Sequence, residues 1–220
     1  MKNKQCIIIG AGKYSKKDWK TMESLCGEID SDSSSQNGEP LYIAADGGYH
    51  IYKKMGIIPD VWIGDFDSSV RNDNNVTKEL IELSKEKDDT DMLAAIRIGL
   101  DRGCNEFHIL GGTGKRVEHM IANLQCLSFL CKEHARGYLY GENRIFTVIK
   151  NERYFIQKRE NVFVSIFSLT EQSLGVTLNG FKYPLINATI KKDFPIGVSN
   201  ELANTQGEIC VKNGELLLVF

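Results

Sequence analysis

The residues best suited to chemistry in this chain are aspartates gathered in three short stretches: Ala45-Asp46-Gly47-Gly48, Gly64-Asp65-Phe66-Asp67-Ser68 and Lys87-Asp88-Asp89-Thr90-Asp91. If the second stretch is extended, Asp65 and Asp67 point the same way, because side chains alternate along a strand. Neighbouring carboxylates repel unless a cation lies between them. Mg²⁺ suits such a place, since it takes one or two carboxylates and fills its remaining positions with phosphate oxygens and water. A polar turn in which each aspartate bonds a local amide is the other reading of the same residues. In the third stretch Asp88 and Asp89 suit a helix N-cap, while Asp91 lies inside the first turn and can project toward the same cation.

A second kind of chemistry is written in Gly111-Gly112-Thr113-Gly114-Lys115-Arg116. Glycines let successive amides turn toward an anion, and a helix N-terminus after the loop adds positive potential. Lys115 and Arg116 add cationic donors, with arginine suited to bidentate phosphate contact. The loop is not a Walker A motif, because Ile109 stands where its first glycine belongs and Arg116 where Ser or Thr belongs. Gly10-Ala11-Gly12 is likewise a tight turn short of a dinucleotide fingerprint, with Ser15 in place of the third glycine. Glu118 could meet a cationic group or simply favour a helix start, and His119 beside it reads as a structural histidine.

These residues need strands and helices to bring them together. Short apolar strands are expected at 6–9, 41–45, 61–63, 107–110 and 138–140, most of them closed by Gly or Asp. Ser15 and Asp18 resemble a capping box opening a helix with Trp19, Met22, Leu25 and Ile29 on one face. Further helices are expected up to Met55, over Val76 to Lys85, from Asp91 to near Gly103 with Met92, Leu93, Ile96 and Leu100 inward, and after Arg116. The last has Met120, Ile121, Leu124, Leu127 and Cys131 as its apolar stripe. Strands alternating with helices indicate a mostly parallel sheet. Ligands bind such sheets beyond the carboxyl ends of the strands, so Asp46, Asp65, Asp67 and the 111–116 loop should share one edge. The polar segment 30–40 reads as a surface loop.

After Arg144 helical periodicity gives way to β-branched and aromatic runs at 146–149, 154–156, 162–167, 175–178, 208–211 and 216–220. This predicts an all-β unit, a sandwich or partial barrel. The expected division is an α/β domain over 1–143 and a β domain over 144–220. With 27 basic and 29 acidic residues the net charge is −2, which argues against a protein built to grip nucleic-acid backbone. The six cysteines include no C-x-x-C pair and read as reduced, mostly buried thiols. The four histidines are scattered, which disfavours zinc. The first apolar run is too short for a signal peptide or membrane span, so a cytosolic protein without membrane contact is expected.

Taken in order, these motifs resemble the thiamine pyrophosphokinase family. Besides the stretches above, Pro59-Asp60, Val117-Glu118-His119, Ala122-Asn123-Leu124, Gly180-Phe181-Lys182-Tyr183-Pro184-Leu185 and Ser199-Asn200-Glu201 carry the resemblance, which spans nearly the whole chain. It implies an α/β domain followed by a β-sandwich, a homodimer with active sites between subunits, and Mg²⁺-dependent transfer of pyrophosphate from ATP to thiamine. It also implies that Asp65, Asp67 and Asp91 hold the metal with Asp46 close by. Asp46, Gly47, Gly112, Lys115 and Arg116 would face ATP, and Glu118, Ser199 and Asn200 would face thiamine. The chain departs from the family in having Glu118 where Asp is usual and in lacking a common proline at 168–171; the 30–40 loop looks like an insertion. The rivals are a pyrophosphokinase of another heterocyclic alcohol such as a hydroxymethylpterin, a Mg²⁺-dependent phosphohydrolase, and a nucleotide- or thiamine-binding module without turnover.

Overall fold

The computed structural model describes residues 3–27, 39–66, 77–84, 89–114, 116–141 and 143–220. It divides into two compact units, Met1–Asn143 and Arg144–Phe220. In the first, the described elements in chain order are β1 (Gln5–Ile9), α1 (Lys16–Gly27), β2 (Leu41–Ala45), α2 (Tyr49–Lys54), β3 (Val61–Gly64), β4 (Glu79–Glu82), α3 (Asp91–Asp101), β5 (Glu106–Leu110), α4 (Val117–Lys132) and β6 (Arg136–Gly141). Every strand pair among them is parallel, in the order β4-β3-β2-β1-β5-β6. Successive strands therefore run outward on one side of β1 and restart with β5 on its other side, and that reversal places a ligand crevice beyond the carboxyl ends of β1 and β5.

The central strand shows why the sheet must be covered twice. Ile7, Ile8 and Ile9 are all fully buried, so β1 is apolar on both faces, as a parallel strand between helical layers requires. On one face Ile7 and Ile9 join Met22 of α1, Tyr52 of α2 and Trp62 of β3 in a single cluster. Helix α1 opens with a capping box: Ser15 N–H donates to Asp18 Oδ2 (2.6 Å), and Asp18 N–H donates to Ser15 Oγ (3.2 Å). Ile29 and the 30–40 loop expectation, apart from residues 39 and 40, lie outside the described residues. Among the described residues no helix is long and apolar enough to cross a membrane.

Three local expectations are corrected. The segment expected as a helix over Val76 to Lys85 contains instead the strand β4, because the free edge of β3 offers a ladder from Val61↔Glu79 to Gly64↔Glu82. Pairing across space has overridden local propensity there; residues 76 and 85 are outside the description. Helix α4 buries Asn123, Cys126, Leu127 and Leu130, while Ile121 is exposed. Its inward face is set by Gly137 of β6, where an added Cβ would stand 2.7 Å from Leu130 and 2.9 Å from Leu127. Helix α3 buries Met92 and Ile96 as expected, but with Ala95 and Gly99 in place of Leu93 and Leu100, and those small residues let it lie close to the sheet.

The second unit is all β: β7 (Arg144–Lys150), β8 (Arg153–Gln157), β9 (Ser165–Ser168), β10 (Gln172–Asn179), β11 (Leu185–Lys191), β12 (Gln206–Cys210) and β13 (Glu215–Val219). Within it β7-β13-β9 run side by side, and β11-β10-β12-β8 form a second, antiparallel sheet. Ile149, Ile166, Leu216 and Leu218 of the first set share one core with Ile156, Val176, Leu178 and Ile209 of the second. That is a β-sandwich. Strand β11, which the sequence reading missed, is mostly exposed and carries Asn187 in a left-handed conformation, so it lacks the alternation that marks a half-buried strand.

Candidate active site

The loops following β1, β2, β3 and β5, with the first turns of α3 and α4, enclose a cleft of about 510 Å³. Asp46, Asp65 and Asp91 all line it, as do Gly10–Gly12, Gly111, Gly112, Thr113 and Arg116. The ends of β2 and β3 and the start of α3 thus deliver one carboxylate each to one space.

Asp46 begins a 3-10 turn, Asp46–Gly48, directly after β2. Its φ of 50° is left-handed, which is uncommon for a residue with a side chain. Gly48 explains why the chain turns so tightly: an added Cβ would stand 1.8 Å from the carbonyl oxygen of Ile9. Only glycine lets the turn press onto the end of β1. The indole of Trp62 donates to the Asp46 carbonyl (2.9 Å), which holds the peptide between Asp46 and Gly47.

Asp65 follows β3, and Phe66 after it has φ 50°. The strand ends at Gly64 and Phe66 is left-handed, so the chain is not extended through Phe66, the condition under which simple alternation would place Asp65 and Asp67 on one side. Asp67 lies outside the described residues, as do Asp88 and Lys115. Asp91 is the first residue of α3, whose N-cap is Thr90, with Oγ1 accepting from Leu93 N–H (3.2 Å). Asp89 is therefore not the cap; its carboxylate pairs with Arg97 Nε at 3.0 Å.

The two glycine loops meet main chain to main chain. Gly10 N–H donates to Leu110 O (2.9 Å), and a Cβ on Gly12 would fall 2.1 Å from Gly111 O. Tyr14 O–H donates to Gly10 O and its ring packs over Gly111. Burial and the nearby Asp18 carboxylate raise the Tyr14 phenol far above its ordinary range, so it stays a neutral donor. On the other side Asn123, buried on α4, donates through Nδ2 to Gly112 O (2.8 Å). Arg116 and Glu118 form an exposed ion pair at the mouth. The Glu118 carboxyl is held below its ordinary value, first by its own backbone N–H at the helix start and then by Arg116. Exposed pairs of this kind contribute little, so Arg116 can exchange its partner for a phosphate.

The cleft also contains residues that the sequence alone does not place there: Thr90, Met92, Ala122 and Asn123, and His119, which reads from the sequence as structural. One signal could have found part of this set. Arg116, His119 and Asn123 recur at spacings of three and four, the period of one helix face.

Ser199 and Asn200 belong to the second unit. Ser199 has φ 57° and donates its N–H to Ser165 Oγ (3.0 Å). Asn200 is buried: Oδ1 accepts from Tyr183 N–H (3.1 Å) and Glu201 N–H (2.9 Å), and Nδ2 donates to Tyr183 O (2.7 Å). Its amide ties the 181–184 segment to the one that presents Ser199.

Among the described residues no three His, Cys, Asp or Glu side chains stand close enough together to hold a metal ion by themselves. The cleft acids are nonetheless all hard oxygen donors beside the glycine loop Gly111–Thr113. That fits a cation which needs few protein carboxylates and completes its shell from phosphate and water.

Residues 33–139 match the family model described as "Thiamin pyrophosphokinase, catalytic domain", and residues 149–218 match "Thiamin pyrophosphokinase, vitamin B1 binding domain". The chain is 30% identical over 184 residues to the thiamine pyrophosphokinase of Bacillus subtilis strain 168, covering 81% of this chain and 86% of that protein. A crystal structure of the thiamine pyrophosphokinase from B. subtilis superposes with a TM-score of 0.81 at 26% identity, covering 98% of each chain. The thiamin pyrophosphokinase from Candida albicans shares the fold, with a TM-score of 0.79 at 14% identity over 99% of this chain and 88% of that one. With both of its halves matched in order and the catalytic match containing every acid of the cleft, the chain belongs to the thiamin pyrophosphokinase family.

Proposed function

We propose that this protein transfers the pyrophosphoryl group of ATP to the hydroxyl of thiamine, yielding thiamine pyrophosphate and AMP. The observation that carries this reading is the meeting of Asp46, Asp65 and Asp91 with the Gly111–Thr113 loop and Arg116 in one cleft. Asp65, Asp67 and Asp91, with Asp46 close by, would hold Mg²⁺, which when bound supplies neutralisation of phosphate charge and polarisation of the phosphoryl oxygens.

Gly47, Gly112, Lys115 and Arg116 bind the ATP phosphates, the glycines through backbone N–H groups and the other two through cationic side chains. The thiamine hydroxyl oxygen forms a bond to the β-phosphorus while the bond from that phosphorus to the α,β-bridging oxygen breaks. AMP leaves with the electron pair, and the hydroxyl proton passes to a cleft carboxylate. Such transfers depend on alignment and charge more than on covalent work by the protein. Glu118 offers negative charge to the cationic thiazolium. Ser199, on the segment braced by Asn200, contacts thiamine from the partner subunit of a homodimer.

Incubation with ATP, Mg²⁺ and thiamine should release AMP and thiamine pyrophosphate in equal amounts, and EDTA should stop both. AMP release with a hydroxymethylpterin but not thiamine would reassign the acceptor. ATP binding without AMP formation would reduce the protein to a binding module.

A further inference from the structure

We infer that Trp62 is a positioning residue that couples the two acid-bearing turns of the cleft. Its indole N–H donates to the carbonyl of Asp46 at 2.9 Å, so it fixes the peptide plane leading into Gly47. Its ring meets Phe66, the residue between Asp65 and Asp67, edge-on at 4.8 Å with an interplanar angle of 81°. On its other side it stacks on Tyr49 at 4.3 Å and 20°. Trp62 is only 6% exposed and lies in β3, which supplies Asp65 from its own end.

The two turns it touches share a feature that calls for such support. Asp46 and Phe66 both have φ near 50°, a conformation that is unfavourable for residues with side chains and persists only where the surroundings enforce it. Gly64 brings the turns close, since an added Cβ there would lie 3.3 Å from Asp46 Cα and 3.7 Å from the Phe66 ring. One rigid indole, clamped by Tyr49, therefore holds one turn by a hydrogen bond and the other by ring contact. If either relaxed to a right-handed conformation, its carboxylate would leave the position the other is set for. Groups that orient metal-binding carboxylates without touching the ion typically contribute ~10-fold or more to its affinity.

The role assigned to Trp62 rests on the cleft binding a metal–nucleotide complex as proposed above. The test is a calorimetric titration with the Mn²⁺ complex of ATP. Trp62→Phe keeps an aromatic ring but removes the indole N–H together with its five-membered ring; it should weaken binding of Mn²⁺·ATP by ~10-fold, leave binding of ATP in EDTA unchanged, and raise the Mg²⁺ concentration for half-maximal AMP formation with little change in KM for thiamine. Equal Mn²⁺·ATP affinity in Trp62→Phe and the unaltered chain overturns the inference. If the unaltered chain itself binds no Mn²⁺·ATP and forms no AMP, the reading of the cleft fails and the role of Trp62 fails with it. Should Trp62→Phe not fold, Trp19→Phe leaves Trp62 as the single tryptophan. Its emission should then change when Mn²⁺·ATP is added and stay constant with thiamine alone; a silent Trp62 overturns the inference.

Discussion

The parallel sheet of the first unit carries acids toward both of its ends, and the two ends treat them oppositely. Toward the amino end of β5, Glu106 is enclosed by donors: His108 Nε2 at 3.0 Å, Gln5 Nε2 at 2.7 Å and Asn3 Nδ2 at 2.9 Å. His108 in turn shares a 2.8 Å hydrogen bond with Tyr140 O–H and lies stacked between Tyr138 and Tyr140. The hydrogen bond from His108, reinforced by those from Asn3 and Gln5 against the cost of burial, pulls the Glu106 carboxyl down to about 2. Beyond the carboxyl ends, Asp46, Asp65 and Asp91 sit on tight turns and a helix start and face a cleft. At Glu106 saturation by donors marks a structural acid, whereas turn geometry beside the cleft marks the candidate catalytic ones.

The contrast is broken most directly at Asp91. Asp91→Asn should lower AMP formation by ~10³-fold, the scale of losing an electrostatic group aimed at the reacting centre. Its melting temperature should stay within about 3 °C, because one acid at a helix start contributes only about 0.3–1 kcal/mol. Turnover and a thermal melt on the same preparation check both halves, and near-normal turnover would remove Asp91 from the site. Glu106→Gln should behave in reverse, losing on the order of 2 kcal/mol of stability in urea titration while the folded fraction turns over normally.

The same pair gives a pH signature. The folded-state value of Glu106 lies below its ordinary one near 4.5, so its stabilisation is complete above that pH and is lost as pH falls toward about 2. The urea midpoints of the unaltered chain and Glu106→Gln should thus be well separated at pH 7 and converge as pH falls from about 4.5 to about 2; a constant separation would mean that the ionised carboxylate is not what stabilises the network. The smallest effect is expected at Thr90, which caps α3 beside the cleft. Thr90→Ala should cost about 1 kcal/mol in the urea titration and reduce turnover less than ~10-fold, because Asp91 stays in the first turn but is held less firmly.

Much of this arrangement was legible in local signals. Ser15 and Asp18 read as a capping box and form one, and the strands around Ile8, Ile43, Ile63 and Ile109 announced themselves by short apolar runs closed by Gly or Asp. That a parallel sheet collects its loops along one edge was enough to bring Asp46, Asp65 and Gly112 together on paper. What failed were inferences that needed a neighbour. Glu79–Glu82 is a strand because β3 has a free edge, and no window of sequence contains that edge. Asn123 faces inward because Gly112 offers its carbonyl, and Asp89 gives up the cap to Thr90 while pairing with Arg97.

By itself, the sequence determined the inventory and the order: acids at strand ends, glycines where backbone must approach backbone, a cationic loop before a helix, and a β-rich final third. Each of these is a property of residue type and short spacing, which the chain carries wherever it goes. Tertiary structure decided the rest. It bent the chain at Phe66 against the extended path that alternation assumed, wedged Trp62 between the Asp46 and Phe66 turns, and saturated Glu106 while leaving Asp46 facing a cleft. Those outcomes depend on contacts between residues far apart in the chain, such as Gly48 against Ile9 and Gly12 against Gly111, where a distance of a few ångströms settles which conformation survives.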